Sequence, residues 1–432
     1  MIFMAMGGGT FLSQNKVLPG TYINFVSASA ATVSLSDRGY VAMALPLPWG
    51  PFGEMMTVTG EDLIRRSRRL FGREYTHPDL LPLRELFAGA QVAYLFRLGA
   101  EGLRAACSLG TARYPGMLGN EITLIVTQTG AGFGVETLVD GVEVDYQTVA
   151  DMDELQDNGF VVFDRGETLV PTAGMTMIGG TDGVPTVDEY SRFLDASEGV
   201  TFHTMGCLTT DDVVKELFFR HTKRMREEVG VKFQCVLYRY EGADYEGVIS
   251  VENEAEGTES GLVCWVSGMS AGCAVNRSLT NRQYTGELTV DTAYTKRELE
   301  QKRKAGKFLF HGSREMRVVE DVNTLTTFTM DRSEDFSLNQ TIRVLDQVAT
   351  DIGALFANRY LGIIPNDNAG RLSLWSDIVS HHRRLETIRA IENFDPQDVS
   401  VQAGEHKRSV VVTDRITPVS AMSQLYMTVV VA

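Results

Sequence analysis

A chain of 432 residues, 44% hydrophobic and 22% charged, has room for about three globular domains and excludes wholesale disorder. Its formal charge of −16 argues against a general nucleic-acid coat or an anionic-membrane binder, so neither nucleic acid nor membrane is expected as a partner. Five cysteines (Cys107, Cys207, Cys235, Cys264 and Cys273) lack CxxC spacing; they form neither a disulfide framework nor a zinc site, and fit a reducing cytoplasm.

In chain order, MIFMAM lacks the basic region of a secretory signal, and GGG at 7–9 is a loose lead. TYINFV at 21–26 is strand-like and stands alone. A short strand YVAMALPL follows; its surroundings carry three prolines and cannot be a membrane helix. GEDLIRRSRRLFG predicts a helix, with Gly60, Glu61 and Asp62 in its first turn and Gly72 as its stop. From about 90 to 180 the texture is β, with VAYLFRLG, NEITLIVTQT, GFGVETLVDGVEVDYQTVA and GFVVFDRG as strands of a small sandwich or barrel. MIGGTDGVPT reads as a linker.

Next comes an alternation that predicts an α/β sheet with helical cover. VDEYSRFLDASEG, DDVVKELFFRHTKRMREEVG and KRELEQKRKAG are helical in period; VTFHTMGCL, KFQCVLYRYEG, GVISVEN and LVCWVSGM are strand-like. Beyond about 330, NQTIRVLDQVATDIGALFANRYLG and LSLWSDIVSHHRRLETIRAIENF are long amphipathic helices. DVSVQAGEHKRSVVVTDRITPV reads as a hairpin turning at Gly404, and LYMTVVV as a final strand.

One motif has the form of a catalytic site. Gly268-Met269-Ser270-Ala271-Gly272 fits G-x-S-x-G after an expected strand, with His311, His381, His382 and His406 downstream. A cytosolic α/β serine hydrolase using Ser270 is therefore the alternative reading. Three fixed positions arise by chance in roughly one chain in seven of this length. The polar AGCAVNRSLTNRQYTGEL after Ser270 also makes a poor elbow helix. Walker-type and GxGxxG phosphate cradles are missing, and no cofactor or metal is expected. His381 and His382, about 100° apart on one helix, read as solvated or partner-facing. Arg65, Arg66, Arg68, Arg69 and Arg73 read as a solvated helix face, with an acidic neighbouring subunit as the other possibility. Trp49, Trp265 and Trp375 read as core.

The two ends carry the stronger signal. A lone hairpin is marginal in water and offers two open edges, while the same chain holds two orphan strands at its termini. Strands donated to neighbouring copies would supply main-chain hydrogen bonds and alternate side-chain contacts. One such arm could contribute on the order of 10 kcal/mol before ordering entropy is subtracted. A contact in which one chain's arm enters the next is heterologous and generates rings or open helices. A polymer is expected.

At these residues the sequence resembles the tail sheath proteins of contractile phage tails, prophages and phage-tail-like bacteriocins, of the Gram-positive type. The matching stretches are GGGTFLSQNKVLPGTYINF, SDRGYVAMALPLPWGP, ARYPGMLGNEITL, VDGVEVDYQTVADMDEL, IGGTDG, GMSAGCAVNRSLTN, VNTLTTFT, SEDFSLNQTIRVLDQVATDI and SAMSQLYMTVVV. Since the likeness begins at GGGTF, Met4 or Met6 is an expected alternative initiator.

The resemblance implies a non-enzymatic subunit that polymerises as stacked rings around an inner tube. Contraction of the metastable sheath then drives the tube through a target cell envelope. The implied partners are further copies of the chain, the inner tail tube protein, and baseplate and terminator or collar proteins. The subunit is expected to be made in a bacterial cytoplasm and released by lysis in a virion tail or tail-like particle.

The expected fold is α/β and multidomain. An N-terminal arm (1–27) precedes the first part of an α/β core (28–92). An inserted β-sandwich or barrel (93–180), the α/β sheath core (181–330), a C-terminal inner α+β domain (331–421) and a C-terminal arm (422–432) follow. Carried over by residue, Val17, Tyr22, Ile23, Asn24 and Phe25 would form the donated N-arm. Leu425, Tyr426, Met427, Thr428, Val429, Val430 and Val431 would form the C-arm. Val410, Val411, Val412 and Thr413 would receive an arm, and His381, His382, Arg383 and Arg384 would face the tube. In this family GMSAGC is structural.

Overall fold

The computed structural model describes residues 35–431 apart from Ala131 and Ser313. The expected N-arm residues, Val17 and Tyr22–Phe25, lie outside the described residues. The chain forms two compact units, one of residues 43–84 and 92–198, the other of the residues up to Ala42, 85–91 and 199 onward. Strand β1 (Tyr40–Leu45) carries the chain from one to the other.

The first unit opens with β2 (Met55–Thr59) and helix α1 (Gly60–Phe71). Thr59 Oγ1 accepts from the Asp62 amide at 3.1 Å, and the Asp62 carboxylate accepts from the Thr59 amide at 3.2 Å. This reciprocal pair satisfies two otherwise orphaned N–H groups of the first turn. Gly72 closes the helix at φ 69°, a left-handed conformation that glycine adopts without a side-chain clash. Most arginines in and just after α1 are paired within the chain: Arg65 with Glu61, Arg66 with Asp62, Arg68 with Glu74, and Arg73, beyond the helix, with Asp79 and Glu121.

After α2 (Leu81–Leu86) the chain re-enters this unit at β3 (Val92–Arg97), antiparallel to β2. Two antiparallel sheets then share one apolar core. Four strands run in the order β10-β6-β7-β8, formed by β6 (Ile122–Thr129), β7 (Gly132–Val139), β8 (Val142–Val149) and β10 (Thr172–Thr176). Three run in the order β4-β5-β9, formed by β4 (Ala106–Cys107), β5 (Gly110–Ala112) and β9 (Val161–Phe163). Ile122, Leu124 and Val126 alternate inward along β6, as the period-2 pattern predicts.

The expected linker at 177–186 is tied down. Asn120 exchanges hydrogen bonds with the Gly180 carbonyl and amide at 2.8 Å each, and Met177 is fully buried. Glycine-rich composition there serves close backbone approach, since a Cβ on Gly180 would lie 2.5 Å from the Gly116 carbonyl oxygen. Helix α3 (Val187–Ser197) closes the unit.

The second unit is built on parallel strands in the order β14-β13-β12-β11: β11 (Thr204–Cys207), β12 (Gln234–Tyr238), β13 (Val248–Val251) and β14 (Lys307–Phe308). All the residues of these strands are buried, as expected where helices cover a parallel sheet. The helices are α4 (Asp212–Arg224), α5 (Leu262–Gly272) and α6 (Lys296–Lys304). A short pair, β15 (Phe310–His311) and β16 (Arg317–Val318), leads to α7 (Asn339–Leu355), α8 (Asn368–Thr387) and the hairpin of β17 (Val399–Ala403) and β18 (Val410–Asp414).

The α5 segment corrects one expectation: LVCWVSGM is a helix, not a strand. It is apolar on all sides and Leu262 to Ala271 are buried, so the run has no amphipathic period to tell helix from strand.

Candidate assembly site

Two features of the second unit bear on assembly: the β17–β18 hairpin, and the segment that follows it. The hairpin pairs Val399 with Asp414 through to Ala403 with Val410. Among the described residues its sheet has only these two strands. Val399, Val401, Val410 and Val412 pack on Leu374, Trp375, Ile378 and Val379 of α8. The Trp375 indole N–H also donates to the Val399 carbonyl at 3.0 Å. The expected receiving residues Val410–Thr413 thus lie in a strand held on its α8 side, with Thr413 exposed.

The following segment is clamped as far as Ala421 and no further. Val419 N–H donates to the Ala390 carbonyl at 3.0 Å, and Glu392 N–H to Thr417 at 2.9 Å. Gln340 of α7 uses both ends of its amide: Nε2 donates to the Val419 carbonyl at 2.9 Å, and Oε1 accepts from the Ala421 amide at 3.0 Å. Sequence reasoning missed this clamp, because no spacing links residues about eighty positions apart.

From Met422 to Val431 the chain is exposed and belongs to no helix or strand. The expectation of a strand at Leu425–Val431 is therefore not met within one chain. Strand composition makes a strand only when a ladder partner is present. Exposures of 85% at Leu425, 88% at Tyr426 and 91% at Val431 are unusual for a run so apolar.

The histidines of α8 are buried, which corrects the reading of a solvated or partner-facing pair. His381 and His382 are each 0% exposed. His381 Nε2 donates to Asp351 at 2.9 Å, His382 Nε2 donates to Asp414 of β18 at 2.7 Å, and the two Nδ1 atoms lie 3.1 Å apart. The pair cannot touch an inner tube from there; of the four residues expected to do so, Arg383 is exposed and Arg384 half-buried. Asp351 is further held by Ser36 and Gln347. One polar chain thus ties α7, α8 and the hairpin together.

The G-x-S-x-G motif is a packing device. Ser270 sits inside α5 rather than on a strand-to-helix turn, is 1% exposed, and its hydroxyl has no hydrogen-bond partner among the described residues. Among the described residues no base accepts a hydrogen bond from it. A Cβ on Gly268 would lie 1.9 Å from the Leu86 carbonyl oxygen, and one on Gly272 2.1 Å from that of Gly89. Their i, i+4 spacing puts both glycines on one face of the helix, where the 86–90 backbone lies against α5. That spacing was the signal available in the sequence. Among the described residues no helix is long and apolar enough to cross a membrane, and no cluster of three metal-binding side chains occurs.

Most of the chain matches three family models: the phage tail sheath protein central domain over residues 183–324, the phage tail sheath C-terminal domain over 331–432, and the tail sheath protein Gp18 domain III N-terminal region over 38–98. The chain belongs to the phage tail sheath protein family. It is 32% identical to the phage-like element PBSX protein XkdK of Bacillus subtilis (strain 168), over 98% of this chain and 99% of the relative. A sheath tail protein from Desulfitobacterium hafniense is 37% identical, with a TM-score of 0.81 over 92% of this chain and 96% of its own. The helical sheath of the anti-feeding prophage in its contracted state shares the fold at 13% identity, with a TM-score of 0.56 over 96% of this chain and 99% of that one.

Proposed function

We propose that this sheath subunit polymerises helically, as stacked rings around an inner tail tube, by donating its C-terminal segment to a neighbouring copy. The observation that carries this is the change at Ala421, where a clamped chain gives way to an exposed apolar run, in a unit whose hairpin sheet has two strands among the described residues. Leu425–Val431 would add a strand to the edge of the β17–β18 hairpin of the next subunit. Main-chain hydrogen bonds would supply affinity there, and alternate side chains the register. The N-terminal residues Val17 and Tyr22–Phe25 would act in the same way. Each arm then serves as a tether that holds while subunits reorient.

In this reading the assembled sheath is metastable, held by a kinetic barrier, and its contraction drives the tube through a target envelope. Its partners are further copies, the tube protein, and the baseplate and terminator or collar proteins. The role is structural, without catalysis. The subunit is made in a bacterial cytoplasm and leaves by lysis as part of a tail or tail-like particle.

Negative-stain electron microscopy of the full-length chain and of a version ending at Met422 tests the proposal, each with and without tube protein. Striated tubes or rings from the full chain alone support it. Equal assembly by the truncated chain removes the C-arm from the mechanism, and discrete monomers in every sample sink the polymer reading.

A further inference from the structure

Within the second unit, one cavity brings three cationic side chains together. Arg38, His203, Lys232 and Arg343 meet there with Gln234, Asp346, Gln347 and Thr350 around a space of about 10 Å3. That is room for one water-sized particle. The single carboxylate on the wall, Asp346, is already taken by Arg226, whose two guanidinium nitrogens donate to it at 2.7 and 2.8 Å.

The donors of the cations on the wall are incompletely used. Arg343 uses only Nη2, towards Asp321 at 2.5 Å and the Arg277 carbonyl at 3.1 Å. Its Nε and Nη1 have no hydrogen-bond partner among the described residues, although the side chain is 2% exposed. Arg38 donates only to neutral oxygens: the Cys273 carbonyl at 2.9 Å, the Ser270 carbonyl at 3.4 Å and the Gln347 amide at 3.5 Å. Lys232 Nζ donates to the Arg226 carbonyl at 2.6 Å. The cavity therefore faces two cations without carboxylate partners and a guanidinium with two unused donors. The neutral His203 ring adds a donor, since its Nδ1 accepts from the Tyr40 amide and leaves the proton on Nε2.

Charges buried without partners are expensive. We propose that this cavity binds one small monovalent inorganic anion, of the chloride or bromide type, held by Arg38, Lys232 and Arg343. An anion there would accept the unused N–H groups of Arg343. A carboxylate or phosphate group is too large for the space. Burial, then the Arg343 charge, hold the Arg38 guanidinium down at about 10 against the opposing pull of Asp346 and Asp351.

Crystals of the full-length chain soaked in sodium bromide, measured at the bromine absorption edge, test the site. The comparison is with a Lys232→Gln variant, chosen because Arg343 also holds the buried Asp321 and its loss would threaten folding. The expected result is an anomalous peak in the cavity of the natural chain, with the half-saturating bromide concentration raised at least about tenfold in Lys232→Gln. In solution, bromide should raise the thermal midpoint of the natural chain above that in sodium gluconate of equal ionic strength, and this increment should vanish in the variant. No peak, or a peak of equal strength in both proteins, overturns the proposal.

Discussion

His381 and His382 meet Nδ1 to Nδ1 at 3.1 Å, fully buried, each with its other ring nitrogen on a carboxylate. With each Nε2 donating to its carboxylate, the two Nδ1 atoms face each other across the pair. The carboxylates differ in shelter: the Asp351 side chain is 5% exposed and that of Asp414 24%. His381→Phe leaves the deeper carboxylate only the neutral Ser36 and Gln347 donors and should cost about 3–5 kcal/mol. His382→Phe leaves Asp414 some access to water and should cost about 1–3 kcal/mol. Urea unfolding of the two variants checks the order; equal losses would remove the distinction.

Gly268→Ala forces a methyl group into the Leu86 carbonyl and should destabilise by about 1–3 kcal/mol or more. Ser270→Ala removes a buried hydroxyl with no partner and should be neutral or slightly stabilising. Thermal midpoints of the two single variants test the packing role of the motif: a Gly268→Ala midpoint equal to that of the natural chain would remove it.

Arg97 is buried in the first unit and donates to four carbonyls, those of Leu47, Gly50, Pro48 and Pro115, at 2.7–3.2 Å. Phe52 lies 4.1 Å from its guanidinium carbon. Burial pushes this guanidinium down to about 10. Lysine cannot reproduce the planar fork. Arg97→Lys should destabilise by about 2–4 kcal/mol, summed over the carbonyls left unsatisfied. Denaturant titration followed by Trp49 fluorescence reports the loss, since Trp49 is buried in that same unit.

His203 gives a pH dependence of defined sign. Burial, then the Arg38 charge, push its pKa well below 6.5, so the folded ring stays neutral where the unfolded one takes up a proton. Stability from this group is complete above pH 6.5 and falls as the pH drops below it, by at most about 1.4 kcal/mol per pH unit. His203→Gln should flatten that part of the profile. Unfolding midpoints of both proteins on either side of pH 6.5 measure the difference, and parallel profiles would contradict it.

Where local signals agree, the fold is legible in the sequence. Helix α1 begins and ends where its acidic first turn and Gly72 place it, because capping chemistry is local. The β17–β18 hairpin turns near Gly404 for the same reason. Helix α5 was misread because a run buried on all sides has no period. The histidine pair was misread because its partners, Asp351 and Asp414, lie 30 and 32 residues away, beyond any spacing rule. LYMTVVV has the composition of a strand, but composition alone forms no ladder, and the segment pairs with nothing among the described residues.

Four of the five thiols, Cys207, Cys235, Cys264 and Cys273, are buried and unbridged, and Cys107 is half-buried. Burial pushes the Cys207 thiol up to about 12 and raises the other three buried thiols as well. A thiol reacts as its thiolate, so these four are inert while the fold lasts. These four thiols therefore keep one covalent state in air and in a reducing cell, and among the cysteines oxidation is left to half-buried Cys107.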